Sequence, residues 1–361
     1  MSDEVAAAGA SIASGSSNVE IDVSTGRRAG RHDYLGPVLA AMTGADAGFA
    51  VNNNAGALLL AMSALAGPGG RVAVSRGELV EIGGSFRLPD LMQANGVELV
   101  EVGTTNRTRL ADYERVVAEV DFVLKVHPSN FRIDGFTEEV SYADLCAMAA
   151  ASSTPVVADV GSGLIDAEAP WLGASPRHWL DGEPGVRQTL EAGADLVLFS
   201  GDKLFGGPQA GIVVGNESLV RQLATHPVAR AVRLDGSTIA ALAKTASAYL
   251  DQRVLDLPFW SMAALTADEV GARADAVVRG IEGATVVDGA SLPGAGSVPG
   301  ATIPSRVIRL DGDADRTWEQ LASGPGHVIG TRRDGATYLD LRSVLPRDDA
   351  TVREALERVT E

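Results

Sequence analysis

DLVLFSGDKLFGGPQAGIVVG, residues 195–215, consists of two short apolar runs separated by a polar turn. Runs that are apolar throughout are typical of strands covered on both faces of a sheet. Ser200, Asp202 and Lys203 follow directly on the first run. This stretch therefore predicts a buried strand whose carboxyl end presents an acid and a lysine.

A second apolar run, PVVADVGSG at residues 155–163, places Asp159 near its end. In a parallel sheet the carboxyl ends of the strands share one edge, and ligands bind at that edge. We therefore expect Asp159 and Lys203 to face one cleft, although they lie far apart in the sequence.

Strand-like runs alternate with helix-like stretches through the middle of the chain. Strands are predicted at RVAVSRG (71–77), VELVEVG (97–103) and FVLKVHP (122–128), and helices at SFRLPDLMQANG (85–96), LADYERVVAEV (110–120) and YADLCAMAAAS (142–152). The alternation predicts βαβ units and hence an α/β fold with a mostly parallel sheet. Upstream, VNNNAGALLLAMSALA (51–66) predicts a helix whose first turn is capped by asparagine.

The chain divides into three predicted parts. Residues 1–33 are rich in small side chains and predict an N-terminal arm that is partly disordered. Residues 34–250 carry the alternating pattern and form the predicted large domain. After about residue 250 the pattern changes to helices, a Gly/Pro/Ser-rich stretch and two strand-like runs, so residues 251–361 predict a smaller C-terminal α+β domain.

The composition narrows the classes of function. A formal net charge of −17 argues against non-specific nucleic-acid binding by the whole surface, although GRRAGRH (26–32) is locally basic. The single cysteine, Cys146, cannot form an internal disulfide and fits a buried thiol in a reducing compartment. Neither a membrane-spanning run nor a secretory signal pattern is present. We therefore expect a cytoplasmic location, and we predict no metal site.

The acid, the lysine and an anion-binding turn together suit the chemistry of pyridoxal 5'-phosphate (PLP). The amine of Lys203 would carry the cofactor as a Schiff base. The Asp159 carboxylate would pair with the ring nitrogen, which makes the ring an electron sink. Amides at a helix N-terminus favour an anion, so the predicted phosphate site consists of Asn53, Asn54, Ala55 and Ser200. The other interpretation of these residues is a surface salt bridge and ordinary turns.

Longer blocks of the sequence resemble a known family. They are VNNNAGALLLA (51–61), VSRGELVEIGGSFRLPD (74–90), EVGTTNRTRLADYE (101–114), VHPSNFRIDGFTEEVS (126–141), SGDKLFGGPQAGIVVG (200–215) and HPVARAVRLD (226–235). Together with GSVPGATIPS and ATYLDLRSVLP near the end of the chain, they are similar to bacterial selenocysteine synthase, the L-seryl-tRNA(Sec) selenium transferase. The resemblance implies the PLP-dependent aminotransferase-like fold, known as fold type I.

The resemblance also implies a reaction and its partners. The family uses PLP to convert serine, esterified to tRNA(Sec), into selenocysteine with selenophosphate as the selenium donor. The seryl amine displaces Lys203, a base such as the freed Lys203 removes the α-proton, and loss of the hydroxyl leaves an aminoacrylate to which selenium adds. The family forms rings built from dimers, so a homo-oligomer is expected.

Four arginines are candidates for substrate binding. Arg230 and Arg233 lie three apart after Pro227, a spacing that predicts one helical face suited to a phosphate-like group. The resemblance places them at the site of the selenium donor. Arg28 and Arg31 match a basic segment of the family and would reach a phosphate or the tRNA end, and the alternative for them is a solvated basic arm.

The roles of several other polar residues stay open. Asp202 is either the proton donor for the leaving hydroxyl or a structural turn residue. His127 is either a cofactor contact or an ordinary hydrogen-bonded histidine, and Asn130 would contact the phenolic oxygen of the ring. Relatives of this fold place a residue over the ring, which here would be Glu78 or Glu81. The block GTTNRT has no predicted role beyond a polar turn.

The sequence departs from the family pattern in two places. It begins near the TGRR segment, without the family's N-terminal tRNA-binding domain and NLGR-like turn, and Gly236 stands where a lysine is expected. A truncated start is one interpretation. A second is a PLP-dependent paralogue, either β-eliminating or an ammonia lyase, that acts on a small amino acid. A third is a non-catalytic partner subunit, against which the intact Lys203 and Asp159 argue.

Overall fold

The computed structural model describes residues 1–84, 86–175, 177–294 and 296–360. Its helices are α1 Asp3–Ala13, α2 Arg31–Thr43, α3 Asn54–Ala61, α4 Leu88–Ala94, α5 Leu110–Glu114, α6 Tyr142–Ala151, α7 Val186–Glu191, α8 Glu217–Thr225, α9 Pro227–Ala231, α10 Gly236–Leu250, α11 Pro258–Ala264, α12 Ala267–Val278, α13 Ala314–Ser323 and α14 Asp349–Thr360. Its strands are β1 Ile21–Asp22, β2 Arg27–Arg28, β3 Ala47–Val51, β4 Arg71–Ser75, β5 Glu81–Ile82, β6 Phe86–Arg87, β7 Glu98–Val102, β8 Phe122–Val126, β9 Val156–Gly161, β10 Leu196–Ser200, β11 Gly211–Gly215, β12 Ala284–Ser291, β13 Ile303–Leu310, β14 Thr331–Arg333 and β15 Ala336–Leu339. Within these ranges, no helix has the length and apolar character needed to cross a bilayer.

Seven strands form the central sheet, in the order β3-β11-β10-β9-β8-β4-β7. The neighbours from β10 through β9, β8 and β4 to β7 pair in parallel. β11 is antiparallel to both β10 and β3. Helices connect the parallel strands, because a parallel pair needs a long crossover. The predicted α/β class with a mostly parallel sheet is confirmed.

The middle strands of this sheet are covered on both faces, as their apolar runs predict. Every residue of β8, β10 and β11 is buried. Phe49, Phe122 and Phe199 are among the largest fully buried side chains. Burial of each such side chain contributes roughly 1.5–3 kcal/mol, so the sheet is a firm support for residues at its edge.

Strand β3 was missed by the sequence patterns. Its five residues, AGFAV, lie between two helix-like stretches and show no distinct period. A Cβ atom on Gly36 would lie 2.6 Å from the carbonyl oxygen of Gly48, so α2 packs directly on the backbone of β3. The strand forms because glycines permit this close contact and because β11 offers a pairing partner, and neither cause is visible as periodicity.

The carboxyl ends of several strands meet at one edge of the sheet. β3 has the same direction as β10, since both are antiparallel to β11. The chain leaves β3, β8, β9 and β10 at this edge and continues into residues 52–54, 127–130, 162–163 and 201–203. In an open α/β sheet this is the edge at which ligands bind.

The chain forms two compact units. Unit 1 comprises Met1–Trp171, Leu180–Leu257 and Gly294–Gly300, and unit 2 comprises Leu172–Trp179, Pro258–Pro293 and Ala301–Glu361. Unit 2 contains the antiparallel sheet β12-β13-β15-β14 together with α11 to α14. Its core includes Val270, Ile308 and Leu356. The domain boundaries predicted after residues 33 and 250 stay predictions about independent domains.

Part of the first 33 residues is helical, and the partly disordered arm over residues 1–33 stays a prediction. Helix α1 packs against α10, where a Cβ atom on Gly9 would lie 3.3 Å from the carbonyl oxygen of Ser237 and 3.8 Å from the Cβ of Ala241. Glu4 forms an ion pair with Lys244 of α10. Gly9 therefore lies where the two helices approach closely.

Candidate cofactor site

Lys203 lies in the turn that follows β10, at the carboxyl edge of the sheet. Its carbonyl oxygen accepts a hydrogen bond from the amide of Gly206. Tyr249 of α10 packs against this turn. Its ring stacks on Phe205 at 5.5 Å between centroids, and its hydroxyl donates a hydrogen bond to the Phe205 carbonyl oxygen. The backbone that carries the lysine is therefore fixed by packing and by hydrogen bonds.

Burial lowers the pKa of the Lys203 ammonium, and the negative charges of Asp159, Asp202 and Glu183 oppose this effect. A lowered pKa increases the fraction of neutral amine, which is the nucleophilic form. Asp202, the residue before Lys203, is exposed. The turn thus presents an amine suited to attack a carbonyl carbon.

Asp159 lies on β9, beside β10, and is 4% exposed. Its Oδ1 accepts a hydrogen bond of 2.8 Å from Nδ2 of Asn54. Burial raises the pKa of the Asp159 carboxyl, and the Asn54 hydrogen bond and the Lys203 charge oppose the rise. A buried carboxylate of this kind is stabilised by a cation, which a protonated ring nitrogen would supply.

The N-terminus of α3 is a turn that presents free backbone amides. The Oδ1 of Asn53 accepts a hydrogen bond of 2.7 Å from the Gly56 amide, which confirms the predicted asparagine cap. The amides of Asn54 and Ala55 begin the helix and have no acceptor within it, so they are suited to a phosphate. A Cβ atom on Gly211 would lie 2.1 Å from the Asn53 carbonyl oxygen, so β11 closely supports this turn.

Ser200 lies beside the same turn. It pairs with Gly211 across β10 and β11, and Gly211 pairs in turn with Val51, the last residue before the asparagines. Ser200 is buried. The sheet register therefore brings together the residues that the sequence assigned to the phosphate.

These residues fit PLP. A partly buried amine, a buried carboxylate and a helix N-terminus match the aldehyde, the ring nitrogen and the phosphate of this cofactor. Among the described residues, Asn54 Oδ1, Ser162 Oγ and Glu183 Oε1 are buried polar atoms without a hydrogen-bond partner. Such atoms are uncommon in a folded protein and indicate a site that a polar group completes.

His127 and Asn130 follow β8 at the same edge. The His127 amide donates a hydrogen bond of 2.8 Å to the Asp159 carbonyl oxygen, and its Nε2 lies 3.2 Å from Oε2 of Glu183. Asn130 is exposed and donates from Nδ2 to the carbonyl oxygen of Glu81 at 2.7 Å. Sequence patterns missed Glu183, because its surroundings, DGEPG, have the composition of a surface turn.

Glu78 is engaged in a buried ion pair. Its Oε1 lies 3.1 Å from Nζ of Lys125, and its Oε2 accepts a hydrogen bond of 2.9 Å from the Val126 amide. Burial raises the pKa of the Glu78 carboxyl, and the Lys125 charge opposes the rise. Glu81 is exposed and pairs with Arg87 at 2.6 Å. Both carboxylates thus bind protein partners, and the structure identifies neither of them as the residue over the cofactor ring.

We expect Glu78→Gln to lower the free energy of unfolding by about 3 kcal/mol, because the buried Lys125 ammonium would lose its counter-charge. The Tyr142 ring, 5.1 Å from Lys125 Nζ, would retain part of the stabilisation. The double variant Glu78→Gln/Lys125→Met should recover most of the loss, since it leaves neither charge buried. Denaturant unfolding of the wild type and the variants measures the coupling free energy between Glu78 and Lys125. Losses of unfolding free energy that are strictly additive would contradict the expected coupling.

Three of the candidate arginines contact one carboxylate. Glu20 Oε1 lies 2.6 Å from Nε of Arg31 and 3.6 Å from Nη1 of Arg233, and Glu20 Oε2 lies 3.2 Å from Nη2 of Arg28. Arg31 also donates from Nη1 to the Leu234 carbonyl oxygen at 2.5 Å. The basic segment near the N-terminus is therefore attached to the segment that follows α9.

The predicted helical pair of arginines does not form. Arg230 lies on α9 and is exposed, but α9 ends at Ala231, so Arg233 lies outside the helix. The amide of Asn52 donates to the Val232 carbonyl oxygen at 2.9 Å, and Arg233 forms a β-bridge with Val51. Pairing with the end of β3 thus replaces helix continuation, and it brings the Arg233 backbone beside the asparagine turn.

Comparisons with known proteins place the chain in a family. A family model described as L-seryl-tRNA selenium transferase matches residues 1–345. An L-seryl-tRNA(Sec) selenium transferase of Geotalea daltonii is 43% identical over 361 residues, which cover 96% of this chain and 76% of the relative. One of Clostridium perfringens is 39% identical over 374 residues, covering 100% of this chain and 79% of the relative.

Solved structures show the fold at lower identity. A D-glucosaminate-6-phosphate ammonia-lyase has a TM-score of 0.70 at 19% identity, covering 100% of this chain and 91% of its own. A serine palmitoyltransferase from S. paucimobilis, solved with a PLP–myriocin aldimine, has a TM-score of 0.51 at 16% identity, covering 99% and 83%. These likenesses bear out the predicted PLP fold type I architecture. Family match, fold and cleft chemistry agree: the chain belongs to the L-seryl-tRNA(Sec) selenium transferase family of PLP-dependent enzymes.

Proposed function

We propose that this protein converts L-seryl-tRNA(Sec) into L-selenocysteinyl-tRNA(Sec) with selenophosphate as the selenium donor. The observation that carries the proposal is the grouping of Lys203, Asp159 and the asparagine turn at one sheet edge, in a chain that matches the transferase family over residues 1–345. When bound, PLP withdraws electrons from the α-carbon of the amino acid. The protein must supply the proton transfers and the binding of both substrates.

Lys203 and Asp202 are the proposed proton-transfer residues. The Nζ of Lys203 has a lowered pKa because it is partly buried, so it can accept the α-proton of the serine as a neutral amine. Asp202 is adjacent and exposed, and it can deliver a proton to the departing serine hydroxyl. The Asp159 carboxyl group, held in place by Asn54, is the proposed partner of the ring nitrogen. His127 and Asn130 complete the proposed cofactor contacts.

The arginines supply the proposed anion site. Arg28, Arg31 and Arg233 meet at Glu20, so their combined positive charge exceeds the single negative charge among them. Guanidinium groups suit phosphate-like anions, because they offer paired donors. Arg230, exposed on α9, is the fourth proposed member. The phosphate-like part of the selenium donor and the tRNA end are the groups for which this charge is proposed.

We expect Arg233→Gln to raise KM for selenophosphate by roughly 10–100-fold with a smaller change in kcat, as loss of a hydrogen bond to a charged group does. Arg233→Lys keeps the charge but not the paired donors, so it should restore binding only in part. Steady-state kinetics with varied selenophosphate measure the effect. Arg316→Gln, on helix α13 of unit 2, is the control and should leave KM unchanged.

The direct test is to incubate the PLP-loaded protein with seryl-tRNA(Sec) and selenophosphate and to detect selenocysteinyl-tRNA(Sec) by mass spectrometry. Product that depends on both substrates supports the proposal. Turnover of free amino acids without any tRNA product would instead support the paralogue with lyase activity. The likeness to an ammonia-lyase is one of fold alone and does not favour that reading.

Assembly and location belong to the same proposal. We propose a homo-oligomer built from dimers that works in the cytoplasm, as the family resemblance suggests. Light scattering of the purified protein measures the mass in solution. A monomer that retains full activity would contradict the proposed assembly.

A further inference from the structure

One buried carboxylate near Lys203 has no role in the chemistry described so far. The Glu183 side chain is 1% exposed. Its Oε2 lies 3.2 Å from His127 Nε2 and accepts a hydrogen bond of 3.1 Å from the Val298 amide. In the described part of the chain, its Oε1 has no hydrogen-bond partner. A buried acceptor left unpaired destabilises the fold, so stability alone does not account for this residue.

Val298, the second partner of the same Glu183 oxygen, has a strained backbone conformation. Val298 has a φ of +47° and is buried. A β-branched side chain in the left-handed region is a genuine outlier, and such conformations cost about 1–3 kcal/mol and persist only where their surroundings enforce them. The hydrogen bond from the Val298 amide to Glu183 is one interaction that maintains this conformation.

The strained residue belongs to a segment that touches the amine of Lys203. We call residues 296–300, GSVPG, the covering segment. Gly296 has a φ of +77°, and a Cβ atom there would lie 3.2 Å from Nζ and 3.3 Å from Cε of Lys203. Ser297 and Val298 are buried although glycine and proline surround them. The backbone of the covering segment therefore lies directly against the lysine amine.

We propose that Glu183 is a positioning residue of the cofactor site, which holds the covering segment against Lys203 and fixes the ring of His127. One carboxylate oxygen serves both partners, so it couples the segment on one side of the site to the histidine that follows β8 on the other. The inference rests on the proposed function, because it assigns a task to Glu183 in that same site. Its consequence is that the lysine amine is shielded from water and small reagents.

The test measures how fast hydroxylamine displaces Lys203 from PLP in the loaded protein, followed by the loss of long-wavelength absorbance. Glu183→Ala should accelerate this loss by about 10-fold or more, since removal of a hydrogen bond to a charged group shifts a local opening equilibrium by that order. Glu183→Gln keeps an oxygen for the Val298 amide and should restore most of the shielding. Glu191→Gln, an exposed residue at the end of α7, is the control and should match the wild type.

A second measurement does not involve the cofactor. In the cofactor-free protein, Lys203 should react faster with a small amine reagent in Glu183→Ala than in the wild type, as mapped by mass spectrometry. Lys125, buried on β8, should react at the same slow rate in both proteins and reports on global unfolding.

Two results would overturn the inference. One is a Glu183→Ala protein in which hydroxylamine and amine-reagent rates at Lys203 equal those of the wild type. The other is a rise at Lys203 and Lys125 alike, which would assign Glu183 to general stability. Neither readout uses tRNA or selenophosphate, so a failure of the proposed transferase activity would be seen separately.

Discussion

Replacing Lys203 with alanine should abolish the long-wavelength absorbance of the PLP-loaded protein and lower selenocysteine formation by at least about 10³-fold, because the covalent attachment point and the proposed base are lost together. The structure gives the reason for so large an effect. Lys203 is the amine that lies at the carboxyl edge beside Asp159, and burial lowers its pKa toward the reactive neutral form.

The matched control is Lys244→Ala, which removes a lysine that pairs with Glu4 at the surface of unit 1. It should leave the absorbance and the turnover unchanged. Absorbance spectra of both variants, loaded with PLP and then dialysed against buffer without PLP, separate the outcomes. A Lys203→Ala protein that keeps the same absorbance through dialysis would contradict the assignment of the cofactor lysine.

Local sequence signals predicted the part of the site that sits on strands and caps. The runs before Asp159 and Lys203 are apolar throughout, so they had to be buried strands, and residues that follow parallel strands meet at one edge. Asn53 was recognisable because a helix N-terminus needs an acceptor for its free amides. These three positions follow from short-range patterns and one rule of topology.

The remaining features depend on contacts between distant parts of the chain. Glu183 is bound by His127 and Val298, which lie 56 and 115 positions away from it. Arg233 leaves the predicted helix because β3 offers it a pairing partner, and β3 itself was not predicted. No local period encodes such pairings, so the spacing of HPVARAVR predicted a helical face, and the sequence analysis gave no role to Glu183.

We expect Asp159→Asn to lower turnover by roughly 10³-fold, the upper range for loss of one preorganised electrostatic contact in an active site. Asparagine has nearly the same shape and can still accept the hydrogen bond from Asn54, but it cannot balance a positive charge on the ring nitrogen. The cofactor should still attach to Lys203, so the variant should remain coloured while turnover falls. Asp268→Asn, exposed on α12, is the control and should keep full turnover.

The same substitution should not destabilise the cofactor-free protein at neutral pH. Burial raises the pKa of Asp159 above its ordinary value in the folded state, so folding favours the protonated carboxyl. The stability that this group contributes is therefore present below its unfolded pKa of about 3.9 and is lost as the pH rises through the folded value. Asparagine does not titrate, so the wild type should lose stability relative to Asp159→Asn between acidic and neutral pH.

Urea unfolding of both cofactor-free proteins at pH values across this window tests the sign of this change. An Asp159→Asn variant that becomes less stable relative to the wild type as the pH rises would contradict the prediction. A residue whose charge destabilises the cofactor-free protein but is needed for turnover serves ligand binding and not folding. The stability and activity measurements together would identify Asp159 as such a residue.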